Sequence, residues 1–269
     1  MRILFLGDIV GRPGVSLIRK ALSHIVAAEQ IDLVVANAEN VSGGSGLNLK
    51  AHRELKQNGI EVMTMGDHVY KRAEIISVLQ SDDSICRPAN FPATSPGRDF
   101  VLTKAADDTP VAVFCLLGRT YMRFVDCPFQ AADRVLQEIP DNVKCILVDF
   151  HAEATADKYL MLHHLKSRVS AVLGTHTHVP TADEDIYEGT AYLTDVGMCG
   201  PHESILGRKI DRVLSTTITF VPSAFDVAEG DPRLNGAIID IDPTTGKAEG
   251  IRRYRFDEAQ LPALKGKTR

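Results

Sequence analysis

Gly174-Thr175-His176-Thr177-His178 follows directly on the apolar run Val169-Ser170-Ala171-Val172-Leu173. A short apolar run that opens into glycine and two histidines has the pattern of a buried strand ending at a binding site. In extended backbone alternate side chains share a face, so the stretch predicts His176 and His178 side by side with the threonines turned away. Paired imidazoles are metal-ligand chemistry. A strand end can equally carry two partly exposed histidines that bind nothing, so the acidic and amide residues elsewhere decide between the two.

Working outward from that stretch, the same pattern recurs. Ile3 to Leu6 is a short apolar run closed by Gly7-Asp8, and Pro13 with the stripe Val15, Leu17, Ile18, Ala21, Leu22, Ile25 and Val26 predicts a helix to about Glu29. A strand over residues 32–36 runs into Asn37-Ala38-Glu39-Asn40, and a helix over 48–57 precedes a strand over 61–65 that enters Gly66-Asp67-His68. After a helix over 71–79, the proline-rich stretch 87–92 is irregular, and strands follow near 100–105 and 111–117. A helix over 130–138 leads to the strand 145–150, which stops at His151, and a helix over 155–166 leads back to the opening stretch. Beyond it, strands are expected over 189–195, 215–220 and 236–242; the tail after Arg252 carries no clear pattern, and residues 265–269 read as frayed.

Composition limits the function classes. A chain of 269 residues with 44% hydrophobic and 24% charged residues suits one globular α/β domain spanning 1–269, with no repeats and no dividing linker. A net charge of −5 argues against a general nucleic-acid binder, though not against a local pocket for a small anion. Five scattered cysteines without a C-x-x-C pair read as reduced thiols. With no signal-peptide core and no run approaching ~20 apolar residues, the expected location is the cytoplasm, away from membranes.

Asp8, Glu39 with Asn40, Asp67 with His68, His151, and His176 with His178 thus stand at the ends of five apolar strands. Open α/β sheets bind ligands outside the carboxyl ends of their strands, which lets these distant residues converge. Oxygen and imidazole donors without thiolate favour Mn, Fe, Zn or Co over a structural cysteine-zinc site, and the set is too large for one catalytic ion.

At these residues the sequence resembles the calcineurin-like metallophosphoesterases. More narrowly, Gly7-Asp-Ile-Val-Gly-Arg-Pro-Gly14, Ala38-Glu-Asn40, His151-Ala-Glu-Ala-Thr155 and Thr194-Asp-Val-Gly-Met198 are similar to the bacterial subfamily of small dinuclear phosphodiesterases associated with 2′,3′-cyclic nucleotides. The resemblance covers nearly the whole chain. It implies an α/β fold of four layers, an αββα sandwich in which helices flank two central mixed sheets. It also implies two metal ions per chain (Fe, Mn or Zn, with iron expected for at least one): Asp8, Glu39, Asn40 and His178 on the first, and Asp67, His151 and His176 on the second, with Glu39 bridging. His68 takes the place of the general acid, and the implied reaction is attack of a metal-bridging hydroxide that opens a 2′,3′-cyclic nucleotide to the 3′-nucleotide.

Three departures bear on that reading. Asp8 is followed by Ile9-Val10 where the wider superfamily has Asp-x-His, and Asn40 substitutes for the missing histidine; Glu39 stands where the superfamily has an aspartate, and both features belong to the subfamily. The third is particular to this chain: Gly66-Asp67-His68 replaces the family's Gly-Asn-His, adding a carboxylate and one negative charge beside the metals. Among other residues, Arg12 and Gly118-Arg119 are candidates for phosphate contact, and Glu153 and Asp195 for orienting imidazoles, each against an ordinary structural role. His24, His52, His163 and His164 are expected on helices away from the site, and His202 is open. The 43–46 segment lacks both the Walker and the dinucleotide spacing and reads as a mobile loop. The expected partner is a small phosphate ester, and a homo-oligomer is compatible with the sequence. The competing functions are a broad phosphomonoesterase or phosphoprotein phosphatase and a non-catalytic nucleotide-sensing regulator.

Overall fold

The computed structural model describes residues 1–267. β1 (Arg2–Leu6) is followed by the two-residue β2 (Asp8–Ile9), α1 (Gly11–Glu29), β3 (Leu33–Asn37), α2 (Leu49–Gln57), β4 (Val62–Thr64) and α3 (Ile75–Ser81). The chain then builds a second sheet from β5 (Phe100–Lys104), β6 (Pro110–Leu117), α4 (Pro128–Glu138), β7 (Cys145–His151), α5 (Thr155–Leu165), β8 (Ala171–Thr175), β9 (Asp185–Tyr187) and β10 (Thr190–Leu193). It returns to the first sheet through β11 (Met198–Pro201), projects α6 (Ile210–Thr219), and closes with β12 (Pro232–Ile241), β13 (Ala248–Asp257) and α7 (Leu261–Lys267).

The first sheet runs β2-β11-β12-β1-β3-β4 with β13 also on β12, and the second runs β5-β6-β7-β8-β10-β9. In the first, β1, β3 and β4 are mutually parallel, joined by the crossovers that α1 and α2 supply, while β12 lies antiparallel to β1. In the second, β6, β7, β8 and β10 are parallel and the edge strands β5 and β9 antiparallel. Both sheets are therefore mixed.

Alternation along the strands fixes the layers. Ile3, Phe5, Leu33 and Val35 of the first sheet join Val111, Val113, Leu147 and Leu173 of the second in one buried cluster made of strand residues from both sheets. The intervening Leu4, Leu6 and Val34 pack on Leu17, Ile18, Leu22, Leu55 and Ile75 of α1 to α3. Phe114, Val148 and Val172 face the other way, onto Ala132, Met161 and Leu162 of α4 and α5. Three apolar interfaces between helix, sheet, sheet and helix give the expected four-layer sandwich. Strands buried on both faces lose the polar alternation, which is why they read as continuous apolar runs.

Several expectations need correction. Residues 215–220, rich in β-branched side chains, belong to α6 up to Thr219; the row Ile210, Leu214 and Ile218 has helical spacing, and Phe220 closes the helix in left-handed conformation at φ 58°. β13 runs into the patternless tail after Arg252, and its register with β12 pairs Leu234 with Phe256 and Gly236 with Tyr254. α3 begins four residues later than expected, because Lys71 to Glu74 form turns. α7 takes in residues 265–267 of the tail expected to fray; residues 268 and 269 lie outside the described residues. No helix among the described residues is long and apolar enough to cross a membrane.

Candidate metal centre

The parallel strands of both sheets point their carboxyl ends to one side of the sandwich. The first sheet delivers Asp8, Glu39, Asn40, Asp67 and His68 just beyond β1, β3 and β4, and the second delivers His151, His176 and His178 from β7 and the loop after β8. Glu39, Asp67, His151 and His176 each offer one ligand atom, and those atoms lie within 4.8 Å of one another. Glu39 Oε1 is 3.2 Å and Asp67 Oδ1 3.3 Å from His151 Nε2, which is itself 3.0 Å from His176 Nδ1. A second group gathers about the Asn40 amide: Nδ2 is 3.2 Å from Asp8 Oδ1, 3.2 Å from His178 Nε2 and 3.3 Å from Glu39 Oε1. Glu39 belongs to both groups.

Gly66 makes room for this convergence. A methyl group on it would stand 2.3 Å from Glu39 Oε2 and 2.4 Å from His151 Nε2. No side chain can occupy that place without displacing two donors.

The histidine pair does not converge by strand alternation. β8 ends at Thr175, and His176 and His178 both take positive φ, 94° and 65°. Such backbone is costly for residues other than glycine and persists only where its surroundings hold it. Here Asp8 Oδ2 accepts from the His176 N–H at 3.1 Å, and Asp195 Oδ2 accepts from the Thr177 N–H at 3.1 Å and its hydroxyl at 2.8 Å. Asp195 is in turn paired with Lys158 at 2.8 Å, both side chains 1% exposed. Asp195 thus orients the turn between the histidines rather than an imidazole. Lys158 went unnoticed in the sequence because one lysine on a helix carries no signal of burial.

Each imidazole has its other nitrogen held outside the cluster. His178 Nδ1 donates to the Leu206 carbonyl at 3.0 Å, and His176 Nε2 meets Glu153 Oε2 at 3.2 Å. Thr175 Oγ1 donates to Asp149 Oδ1 at 2.6 Å, so its lone pair is left to accept His151 Nδ1–H at 2.8 Å. Nδ1 being engaged there, it is His151 Nε2 that is aimed at Glu39 and Asp67, and the neutral form of this tautomer offers them a lone pair for a shared cation. Asp149 is fully buried; burial pushes its carboxyl up to about 6 despite donors from Thr175, Thr64 and Asn37.

The electrostatics fit a cation. Among the described residues no lysine or arginine pairs with the carboxylates of Asp8, Glu39 or Asp67; histidines are the ionisable groups that pair with them. Burial works against charge on Glu39, yet His151 and His68 hold it well below the usual range, and burial of His151 is outweighed by Glu39, Asp67 and Asp8, which raise it well above. Protons on imidazoles thus balance the carboxylates. A divalent ion supplies the same charge to the same atoms, releasing the protons and matching the oxygen and nitrogen donors.

The remaining candidates fall outside the cluster. Arg12 lines an open groove of about 1770 Å³ with Lys50 and Arg53, beside Ser42 and Gly43. At 118–119, the Arg119 backbone N–H binds Asp157. Arg123, which no motif marked, donates from Nη1 to the Asp67 carbonyl at 3.3 Å and stacks over Phe91. His52 is buried near Asp82, His163 packs edge-on to Tyr187, and His164 pairs with Asp133, all on helices as expected. His24 lies on α1. His202 bridges the Gly200 carbonyl and Asn235 and is structural. The glycine loop expected to be mobile is tied down: Arg72 donates to the Ser42 and Ser45 carbonyls and Arg208 to those of Gly43 and Gly44.

The protein family described as YmdB-like protein matches residues 4–254. The chain belongs to the YmdB-like family. It is 41% identical over 262 residues to a relative from Bacillus subtilis (strain 168), the 2′,3′-cyclic-nucleotide 2′-phosphodiesterase, covering 97% of this chain and 99% of that protein. A crystal structure described as a novel phosphatase from Mycoplasma pneumoniae superposes with a TM-score of 0.89 at 30% identity, over 96% of this chain and 93% of that one. The calcineurin-like phosphoesterase YfkN of Bacillus subtilis, at 11% identity, superposes with a TM-score of 0.54 over 100% of this chain and 96% of that one. That likeness gives the fold: this YmdB-like chain has the calcineurin-like phosphoesterase architecture.

Proposed function

We propose that the protein is a dinuclear metal-dependent phosphodiesterase that opens 2′,3′-cyclic nucleotides to 3′-nucleotides, with residues 1–269 acting as one domain. The observation that carries this reading is Glu39, whose carboxylate stands between two donor groups. Asp8, Glu39, Asn40 and His178 would hold one ion, and Glu39, Asp67, His151 and His176 the other. Bound there, such ions supply positive charge to the phosphoryl oxygens and a water acidic enough to act as nucleophile near neutral pH. The relative's name, a 2′-phosphodiesterase, supports scission at O2′, which leaves the phosphate on O3′.

The chain's own contribution to the leaving group is His68. Its Nδ1 lies 2.8 Å from Asn40 Oδ1 and 3.2 Å from Glu39 Oε1, and its Nε2 lies 3.7 Å from Asp67 Oδ2. Burial disfavours charge on this imidazole, but Glu39 and Asp67 raise it above the ordinary histidine value. A charged imidazole at the rim of the cluster can give its proton to a departing alkoxide. His68→Ala is expected to slow turnover ~100-fold or more with a nucleoside leaving group and less than about tenfold with a nitrophenolate, which needs no proton. Equal losses on both substrates would remove His68 from the acid role.

Asp67 modifies the family's chemistry. With an asparagine there, two divalent ions facing Asp8, Glu39 and a hydroxide would leave a net charge of about plus one, and with Asp67 about zero. The added carboxylate weakens attraction for a phosphate anion or favours one trivalent ion such as Fe(III). Asp67→Asn is expected to lower KM for the cyclic nucleotide roughly three- to tenfold, about 1 kcal/mol of binding, and to change the bound metal. Unchanged metal content and rates would refute this.

The deciding experiment is turnover of a cyclic-nucleotide panel by protein reconstituted with Mn, Fe or Zn, alongside metal analysis. Diester turnover with two ions per chain is expected. Monoester turnover alone would favour the phosphatase reading, which the Mycoplasma pneumoniae structure's description supports. Saturable binding without hydrolysis would favour a nucleotide sensor.

A further inference from the structure

Residues 118–126 follow β6 and form neither helix nor strand, yet they are fastened at both ends. The buried Asn90 closes the loop: its amide donates to the Leu117 and Asp126 carbonyls at 2.8 and 3.1 Å, and its oxygen accepts the Leu117 N–H at 2.8 Å. Asp157 accepts the Arg119 and Thr120 N–H groups and the Thr120 hydroxyl. Met122 and Val125 pack onto the core between the first sheet and its helices. Tyr121, at φ 61°, and Phe124 are left outside, the first 90% exposed and the second wholly so. A tethered loop that presents two aromatic rings to water forgoes the burial such side chains ordinarily supply. Neither ring serves the core.

The loop also touches the metal centre twice. The Gly118 N–H donates to the His151 carbonyl at 2.9 Å, and Arg123 Nη1 donates to the Asp67 carbonyl at 3.3 Å. His151 Nε2 and Asp67 Oδ1 are themselves 3.3 Å apart. Tyr121 stands between those two contacts, and two peptide steps allow its Cα no more than about 7 Å from that of Arg123. Phe124 adjoins Arg123 directly.

We propose that the loop 118–126 is the nucleobase subsite of the metal centre, with Tyr121 and Phe124 as the stacking face for the base of a nucleotide whose phosphate is held at the metals. Exposed aromatic rings beside guanidinium groups are the chemistry that grips an unpaired base and its phosphate, and Arg119 and Arg123 are both exposed. Stacking accepts any base, and the exposed positions 119, 120, 121, 123 and 124 hold no amide or carboxylate side chain that could read a base edge. The subsite is therefore expected to take all four bases and to favour purines for their larger face. Two rings are far fewer than the roughly 20–30 residues a side of a specific protein interface, which speaks against a protein partner here. The subsite deepens the phosphodiesterase reading and rests on it for the placing of the phosphate.

Calorimetry on the metal-reconstituted full chain compares adenosine 3′-monophosphate with methyl ribofuranoside 3-phosphate, which lacks the base. The nucleotide is expected to bind at least ~10-fold more tightly, a stacked base being worth roughly 5–150-fold. The double variant Tyr121→Ala/Phe124→Ala should bind the two compounds alike, at the affinity of wild type for the base-free one. Tyr121→Trp/Phe124→Trp should restore the difference. With a 2′,3′-cyclic adenosine nucleotide as substrate, the alanine variant should show KM raised roughly tenfold and kcat within about twofold of wild type. Equal binding of the two compounds by wild type would overturn the proposal, as would an alanine variant that keeps the preference or weakens both compounds in parallel. A preference that depends on Tyr121 and Phe124, in a protein that hydrolyses no cyclic nucleotide, would uphold the subsite and overturn the phosphodiesterase reading. Hydrolysis of cyclic nucleotides without any preference for the base would do the reverse.

Discussion

Gly66→Ala is expected to empty the metal centre while leaving the protein folded. The added methyl would have to share space with Glu39 Oε2 at 2.3 Å and His151 Nε2 at 2.4 Å. Neither donor can step aside freely: Glu39 Oε2 accepts the His68 N–H at 2.9 Å, and His151 is fastened through Nδ1 to Thr175. Relief requires a shift of about 1 Å, whereas ligand distances in a metal site are held within ~0.2 Å. Bound metal, read by elemental analysis, should fall below half of the wild-type content. Phosphodiesterase kcat/KM should fall at least ~1,000-fold, about 4 kcal/mol of transition-state stabilisation. The stability cost of overpacking one methyl is about 1–3 kcal/mol, so the circular dichroism spectrum should remain native. A Gly66→Ala protein with full metal content and activity within a few-fold of wild type would dismiss this account of the centre.

Asp195→Ala should produce the largest loss of stability of any single change near the site. Removing the carboxylate leaves the Lys158 ammonium in a space 1% exposed and deprives the Thr177 and Gly197 N–H groups of their acceptor. Breaking one side of a buried pair costs about 3–5 kcal/mol. For a chain of this size that corresponds to a melting temperature lower by roughly 6–20 °C. The turn that keeps His176 and His178 at positive φ would loosen with it, so metal affinity should fall too. Lys158→Met combined with Asp195→Asn removes both charges and retains an amide oxygen for Thr177; it should recover most of the stability. If the double variant were no more stable than Asp195→Ala, the loss would have to come from something other than the stranded charge.

The strand-end residues are legible in the sequence because each follows a largely apolar run, and such runs are what two buried faces produce. Asp8, Glu39, Asp67 and His151 needed no more than that. His176 and His178 do not meet by the alternation their spacing suggests: they come together through a strained turn whose support, Asp195 and Lys158, lies 17 or more residues away along the chain. α6 was misread because Thr216, Thr217, Ile218 and Thr219 favour strands locally, and no packed face is present to reveal the helix. β13 is hidden because its outward positions carry arginines and only Ala248, Tyr254 and Phe256 are buried. Arg123 reaches Asp67 through the backbone carbonyl, a contact that any residue at 67 would offer.

The place of β1 has a consequence for how the chain is made. β1 lies between β3 and β12, whose residues follow it by about 30 and about 235 positions. At a synthesis rate of 5–20 residues per second, its second neighbour emerges from the ribosome roughly 10–50 s after it does. Through that interval one edge of β1, flanked by the apolar Ile3, Leu4, Phe5 and Leu6, stands unpaired. Asp8, just beyond β1, can therefore take its final place beside the other strand-end residues only once translation is nearly finished.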